Sequence, residues 1–202
     1  QGAGIEPFFA ITYTRYNAQG YDLNRSFPDP VTDPVDDPAG RPTEVQHVMN
    51  FQYPRNFILG ANYHGGELVM NLPWDCTYDD PPDNQLFWHL GEGYAIHNPP
   101  MWNSTEFTHG VVNGADWYVI HGGVQDWAYH WRNELHITIE VSENKWPAWS
   151  LMDQFWDENR DSMLWYMNQV IATGVKGVVT DAVTGQPLAA RVNVTQINKA
   201  IV

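Results

Sequence analysis

Leu135-His136-Ile137-Thr138-Ile139-Glu140-Val141 is the stretch from which the fold is read. Leu135, Ile137, Ile139 and Val141 alternate with His136, Thr138 and Glu140. A period of two puts the aliphatic set on one face of a strand and the polar set on the other. The polar face is either solvated, which makes Glu140 ordinary, or part of a site. A carboxylate in a largely apolar strand costs free energy unless it is paired or coordinated. Such carboxylates often have raised pKa values and serve as general bases.

Working outward, helical and strand patterns flank this segment on both sides. Phe57-Ile58-Leu59-Gly60-Ala61 is a short apolar run that empties into Asn62-Tyr63-His64-Gly65-Gly66, which reads as a buried strand leading to a glycine turn. Pro42-Thr43-Glu44 opens a helix running to about Gln52, with Thr43 as N-cap. Asp83 caps a helix with Leu86, Phe87, Leu90 and Tyr94 on one face. Trp117 to Ile120 reads as a brief strand before Gly122-Gly123. Downstream, Ser150 begins a long helix to about Ile171, with Trp156, Met163, Met167 and Ile171 along one stripe. Gly174 ends it. Val175 to Thr180 and Ala190 to Thr195 then read as two strands around a turn-rich loop. The expected pattern is α/β for residues 1–173, with a small β segment over 174–202 that is too short for a core of its own.

Composition narrows the function classes. The chain has 202 residues, 43% of them hydrophobic, with ten Trp and ten Tyr, as expected of a globular, aromatic-rich protein. No apolar run approaches the ~20 residues of a membrane span. The net charge of −14 repels nucleic-acid phosphates and attracts cationic ligands. Cys76 is the single cysteine, so no internal disulfide forms. Gln1-Gly2-Ala3-Gly4 has neither the charged nor the apolar region of a signal peptide.

Four local features carry chemistry. Asn24 beside Arg25 in a polar loop suits a carboxylate, because the planar guanidinium binds it bidentately and the amide adds a donor. Arg15 is a second cation nearby. Either arginine can equally pair with a surface Asp. His64 ends a strand, where α/β sheets place ligands, and neutral imidazole binds zinc; a histidine satisfied by a neighbouring hydrogen bond fits the same position. Tyr118 precedes Gly122-Gly123, a pair that lets backbone approach a ligand, though a packing role suits it too. Glu140 is the fourth.

In this order the features resemble the zinc carboxypeptidase family, in the branch that holds the regulatory carboxypeptidases N, E, D and M and their bacterial relatives. The resemblance runs from about Asn17 to the end. It rests on Asp22-Leu23-Asn24-Arg25 with Phe27-Pro28-Asp29, and on Asn62-Tyr63-His64-Gly65-Gly66 with Asn71-Leu72-Pro73-Trp74-Asp75. Asn113-Gly114-Ala115-Asp116-Trp117-Tyr118 with Gly122-Gly123 and Gln125-Asp126, and Ile137 to Ser142, complete it. The resemblance implies a mixed-sheet α/β/α sandwich followed by the start of a transthyretin-like β-sandwich. It implies Zn2+ as cofactor, with His64 as one ligand. Glu140 becomes the general base, Arg15 the residue that holds the oxyanion, and Tyr118 the tyrosine that closes over the substrate. Asn24 and Arg25 bind the terminal carboxylate, while Asp75 and Gln125 select basic residues. Implied partners are peptide or protein C-termini ending in Lys or Arg, with no nucleic acid and no membrane span. The implied location is secreted, periplasmic or cell-surface.

The family's other two zinc ligands come from a His-x-x-Glu upstream of the Asn24-Arg25 loop. No such motif precedes that loop here, so the natural protein is expected to extend upstream. His64-Gly65-Gly66-Glu67 has the same spacing, but its flanks belong to the second zinc motif, and Glu67's position is not a ligand in the family.

Overall fold

The computed structural model describes residues 14–174, 177–194 and 199–201. It divides into two compact units, residues 1–168 and 169–202. In the first unit a 3₁₀ turn, Leu23–Arg25, precedes α1 (Thr43–Gln52), β1 (Leu59–His64) and β2 (Glu67–Leu72). Then come α2 (Asn84–Ala95), α3 (Pro99–Trp102), β3 (Val111–Asn113), α4 (Gly114–Trp117), α5 (Val124–Arg132) and β4 (Leu135–Ser142). The long α6 (Met152–Ala172) runs across the division. In the second unit β5 (Val192–Val194) pairs antiparallel with β6 (Lys199–Ile201), and Thr180 bridges Pro187.

The sheet of the first unit has the order β1-β4-β2-β3. β4 lies parallel to β1 and antiparallel to β2, which in turn lies parallel to β3. The sheet is therefore mixed, as the resemblance implied. Alternation along β4 decides what each face carries. Ile137 and Ile139 join Met70, Leu72, Phe87, Leu90, Tyr94 and Met101 in the larger core, between the sheet and α2, α3 and α6. Each such side chain stabilises the fold by roughly 1.5–3 kcal/mol when fully buried. The other face meets α5, and a second core of Phe27, Val45, Met49, Trp127 and Ala128 joins α1 to α5.

Several elements depart from the sequence reading. β1 begins at Leu59 and continues through His64, while Phe57 and Ile58 are exposed. Thr43 lies inside α1; Pro42 holds the cap position with no side-chain cap. Asp83 precedes α2 but makes no cap bond, because its carboxylate accepts from Tyr129 Oη at 2.9 Å. Leu86 is partly exposed, unlike Phe87, Leu90 and Tyr94. Residues 117–120 form no strand: Trp117 closes α4, and Ile120 N donates to Asp75 O at 3.0 Å. Of the apolar stripe proposed for α6, Met163 packs against the larger core but Trp156, Met167 and Ile171 are exposed, and Asn159, Ser162 and Tyr166 are the buried residues. Residues 177–179 form no strand, and Val175 and Lys176 lie outside the described residues. No helix among the described residues is long and apolar enough to cross a membrane.

Candidate active site

The parallel register of β1 on β4 sets His64 opposite Glu140. His64 ends β1 and Glu140 lies two residues before the end of β4, both on the face away from the larger core, so their side chains meet over the sheet. His64 Nδ1 lies 4.0 Å from Glu140 Oε1. Distance alone suggests an ion pair, but the protonation states do not. Burial, then the charges of Arg15 and Arg25, push His64 down to about 4. Burial pushes Glu140 up to about 7, against the pull of Lys145 and Arg15. Near neutral pH the imidazole is therefore uncharged, the form that binds a metal. Glu140 Oε2 is buried and has no hydrogen-bond partner among the described residues.

A cavity of about 340 Å³ opens over this pair. Arg15, Asn24, Arg25, His64, Asp75, Tyr118 and Glu140 all line it, so the fold gathers seven of the eight residues singled out from sequence. Gln125 is set back from the lining: it is buried, and its Oε1 accepts from Thr138 N at 2.7 Å. The alternation of β4 also brings Thr138 to the cavity, while Asn71, Trp117, Lys145 and Trp146 line it from neighbouring segments. Thr138 was readable from its shared face with Glu140. Lys145 had no periodic signal, because it sits in the irregular stretch after β4.

Several wall residues are held by local contacts. Asn24 Oδ1 accepts from Val124 N, the first residue of α5, at 3.0 Å. That commits the amide oxygen to the helix. Arg25 Nη1 donates to Asn24 O at 2.8 Å. Arg15 pairs with Asp22, Nε to Oδ2 at 2.7 Å. Tyr118 is half exposed, at the start of the irregular segment that leads to α5. Asp75 is buried; its Oδ1 accepts from Asn71 Nδ2 at 2.9 Å, and its Oδ2 has no hydrogen-bond partner among the described residues. Burial first, then the charge of Asp126, holds Asp75 well above the usual carboxylate range. Asp126 accepts from Asp75 N and Cys76 N, which fixes the loop that presents Asp75.

Catalytic zinc sites ordinarily take three protein ligands. Among the described residues no group of three or more His, Cys, Asp or Glu side chains is placed to hold a metal ion. Glu67 turns to its own strand, where Oε1 accepts from Leu68 N at 2.9 Å. The described residues around His64 therefore do not fit a complete zinc site.

Comparison with known proteins agrees with this geometry. The chain is 39% identical over 193 residues to "Carboxypeptidase SOL1" of Arabidopsis thaliana, covering 93% of this chain and 39% of that protein. It is 37% identical over 206 residues to "Carboxypeptidase D" of Rattus norvegicus, covering 93% of this chain and 14% of that one. With "Carboxypeptidase M" of Mus musculus it shares 36% over 189 residues, covering 86% and 42%. The chain thus spans less than half the length of each of these relatives. Carboxypeptidase A from Helicoverpa armigera has a similar fold, with a TM-score of 0.61 at 16% identity over 79% of this chain and 46% of that one. A zinc carboxypeptidase family model matches residues 10–162, most of the chain and every residue of the cavity wall. The chain belongs to the zinc carboxypeptidase family, whose cofactor is Zn2+.

Proposed function

We propose that the protein hydrolyses the C-terminal peptide bond of peptides and proteins, releasing Lys or Arg. The observation that carries this reading is one cavity that holds a carboxylate-binding pair, a buried acid and a proton acceptor together. Arg25 and the Asn24 amide nitrogen bind the terminal carboxylate. That restricts cleavage to the last residue, the only one with a free carboxylate. Asp75 receives the basic side chain; an incoming ammonium or guanidinium supplies the partner that Oδ2 lacks and draws Asp75 into its ionised form. Gln125 supports the pocket from behind by holding Thr138. Glu140, buried and poised at about 7, takes a proton from the attacking water. Arg15 faces the oxygen on which charge develops, and Tyr118 closes over the substrate. His64 is the ligand this chain offers to zinc. The family's branch supports an exported location, with residues 174–202 as the start of a transthyretin-like domain after a catalytic region over 1–173.

The test uses the full-length protein loaded with zinc. It is expected to release Arg from an Arg-ending peptide, to spare the same peptide as its amide, and to stop with a chelator. Release of no C-terminal residue at all would overturn the proposal. Arg25→Ala is expected to raise KM for the acid by about 10–100-fold, consistent with loss of a charge-assisted bidentate contact.

A second reading is a module that holds peptide C-termini without cleaving them. The observation in its favour is that, among the described residues, no group of three or more His, Cys, Asp or Glu side chains is placed to hold a metal ion. Zinc bound at one equivalent by the 202-residue chain would count against it.

A further inference from the structure

Asp29 is only 2% exposed, and its carboxylate lies outside the cavity, where the proposed chemistry makes no use of it. Its surroundings are nevertheless fully built. Oδ1 accepts from Val31 N at 3.0 Å and from Thr32 N at 2.7 Å, and from Thr32 Oγ1 at 3.0 Å. Oδ2 accepts from Gly122 N at 3.0 Å, across 93 residues of sequence. His121 Nδ1 lies 3.2 Å from Oδ1 and 3.3 Å from Oδ2. Burial would raise this acid, but the donors from Thr32, Gly122 and Val31 outweigh it and hold it below the usual range. It therefore stays ionised while buried, which demands partners on every side.

The partners join two loops. Residues 24–29 carry Asn24 and Arg25; residues 121–124 lead into α5. Gly122 O accepts from Phe27 N at 3.0 Å, and Val124 N donates to Asn24 Oδ1 at 3.0 Å. At φ +73° Gly122 packs so closely that an added Cβ would lie 2.6 Å from Arg25 O. The His121-Gly122 turn is thus the surface against which the Arg25 backbone rests. Asp29 holds that turn in place from the far side.

We propose that Asp29 is a positioning residue for the Asn24-Arg25 pair, acting through the His121-Gly122 turn. The proposal rests on the reading of that pair as the carboxylate-binding group. Asp29 touches no substrate. It sets the depth and angle at which the guanidinium and amide are presented, so its loss weakens recognition of a free carboxylate rather than binding in general.

Asp29→Asn separates the two loops chemically. One side-chain oxygen remains for Val31 and Thr32, but an amide NH2 then opposes Gly122 N–H. Calorimetric binding to the 202-residue chain is measured for a short Arg-ending peptide and for the same peptide as its C-terminal amide. The unsubstituted chain is expected to prefer the acid. Asp29→Asn is expected to cut that preference by about 10-fold, with amide affinity changing less than about twofold, as befits loss of aligned charge-assisted bonds. Gly122→Ala displaces the same turn from the opposite side, so it is expected to give the same signature and serves should Asp29→Asn fail to fold. Thr32→Ala removes a bond to the same carboxylate without touching the turn; it is expected to keep the preference. A merely structural Asp29 would lower the melting temperature and leave the acid-to-amide ratio intact, and that result overturns the proposal. If the unsubstituted chain shows no preference for the acid, the reading of Asn24-Arg25 falls, and the role of Asp29 falls with it.

Discussion

At the scale of single residues, Asp75 and Asp126 contribute most of the tension in the site. Two carboxyl groups share a buried corner with few donors. Burial pushes Asp126 up to about 6, and burial with the charge of Asp126 holds Asp75 well above an ordinary carboxylate. An unfolded chain loses both protons at about pH 4, whereas the folded chain keeps them to higher pH. In that interval the native state binds more protons, so these groups destabilise the fold progressively as pH rises. His64, depressed to about 4, works in the opposite sense over an overlapping range. The informative measurement is therefore a difference. Asp75→Asn is expected to be more stable than the unsubstituted chain by about 1–3 kcal/mol at pH 7, with the advantage shrinking toward pH 4. Melting curves across that range check it. The same variant is expected to lose preference for Arg-ending over Leu-ending peptides. Residues of this kind were legible from sequence by type and order: a carboxylate eleven positions after His64 is a pattern. Its protonation was not, because it depends on Asp126, which lies 51 positions away and reaches Asp75 only through the fold.

At the scale of elements, legibility followed the strength of the periodic signal. β4 was readable because aliphatic and polar residues alternate over its whole length, although both faces are buried, the polar one included. α6 was misread because its apolar residues do not mark its seat. Its inward side is held by polar contacts: Asn159 Oδ1 accepts from Tyr94 Oη at 2.9 Å and from Asn98 Nδ2 at 3.1 Å. Tyr166 Oη donates within reach of Gly60 O and Leu135 O. Hydrophobic spacing alone does not register this seat, because amides and hydroxyls share it with Met163, Trp165 and the Tyr166 ring. Residues 117–120 were misread for a related reason: Trp, Tyr, Val and Ile suit a strand, but their backbone bonds go to Gly114 and Asp75 instead. The α2–α6 contact is close enough to test. A Cβ on Gly93 would fall 1.9 Å from the Trp165 ring. Gly93→Ala is expected to lower stability by about 1–3 kcal/mol through overpacking, read as a lower urea midpoint with unchanged slope.

At the scale of the whole molecule, charge and sheet order matter most. Acidic residues number 24 against 10 basic ones. A net charge of that sign attracts cationic ligands in general and is screened within about 10 Å at 0.1 M salt; on the proposed function those ligands are basic peptide ends. Association of an Arg-ending peptide is expected to slow several-fold as salt rises toward that level, with dissociation changing little; stopped-flow mixing separates the two. Sheet order has a different effect. β4 and β2 are each bonded along both edges, but β4 has the longer pairings, six residues with β1 and five with β2, against five and three for β2; β1 and β3 have one bonded neighbour each among the described residues. Backbone amides of β4 should therefore be the last to exchange with heavy water, and those of β1 should go sooner. The glutamate and the histidine that face each other thus sit on ground of unequal permanence. When the sheet loosens from its margin, His64 goes first, and Glu140 keeps its address longest.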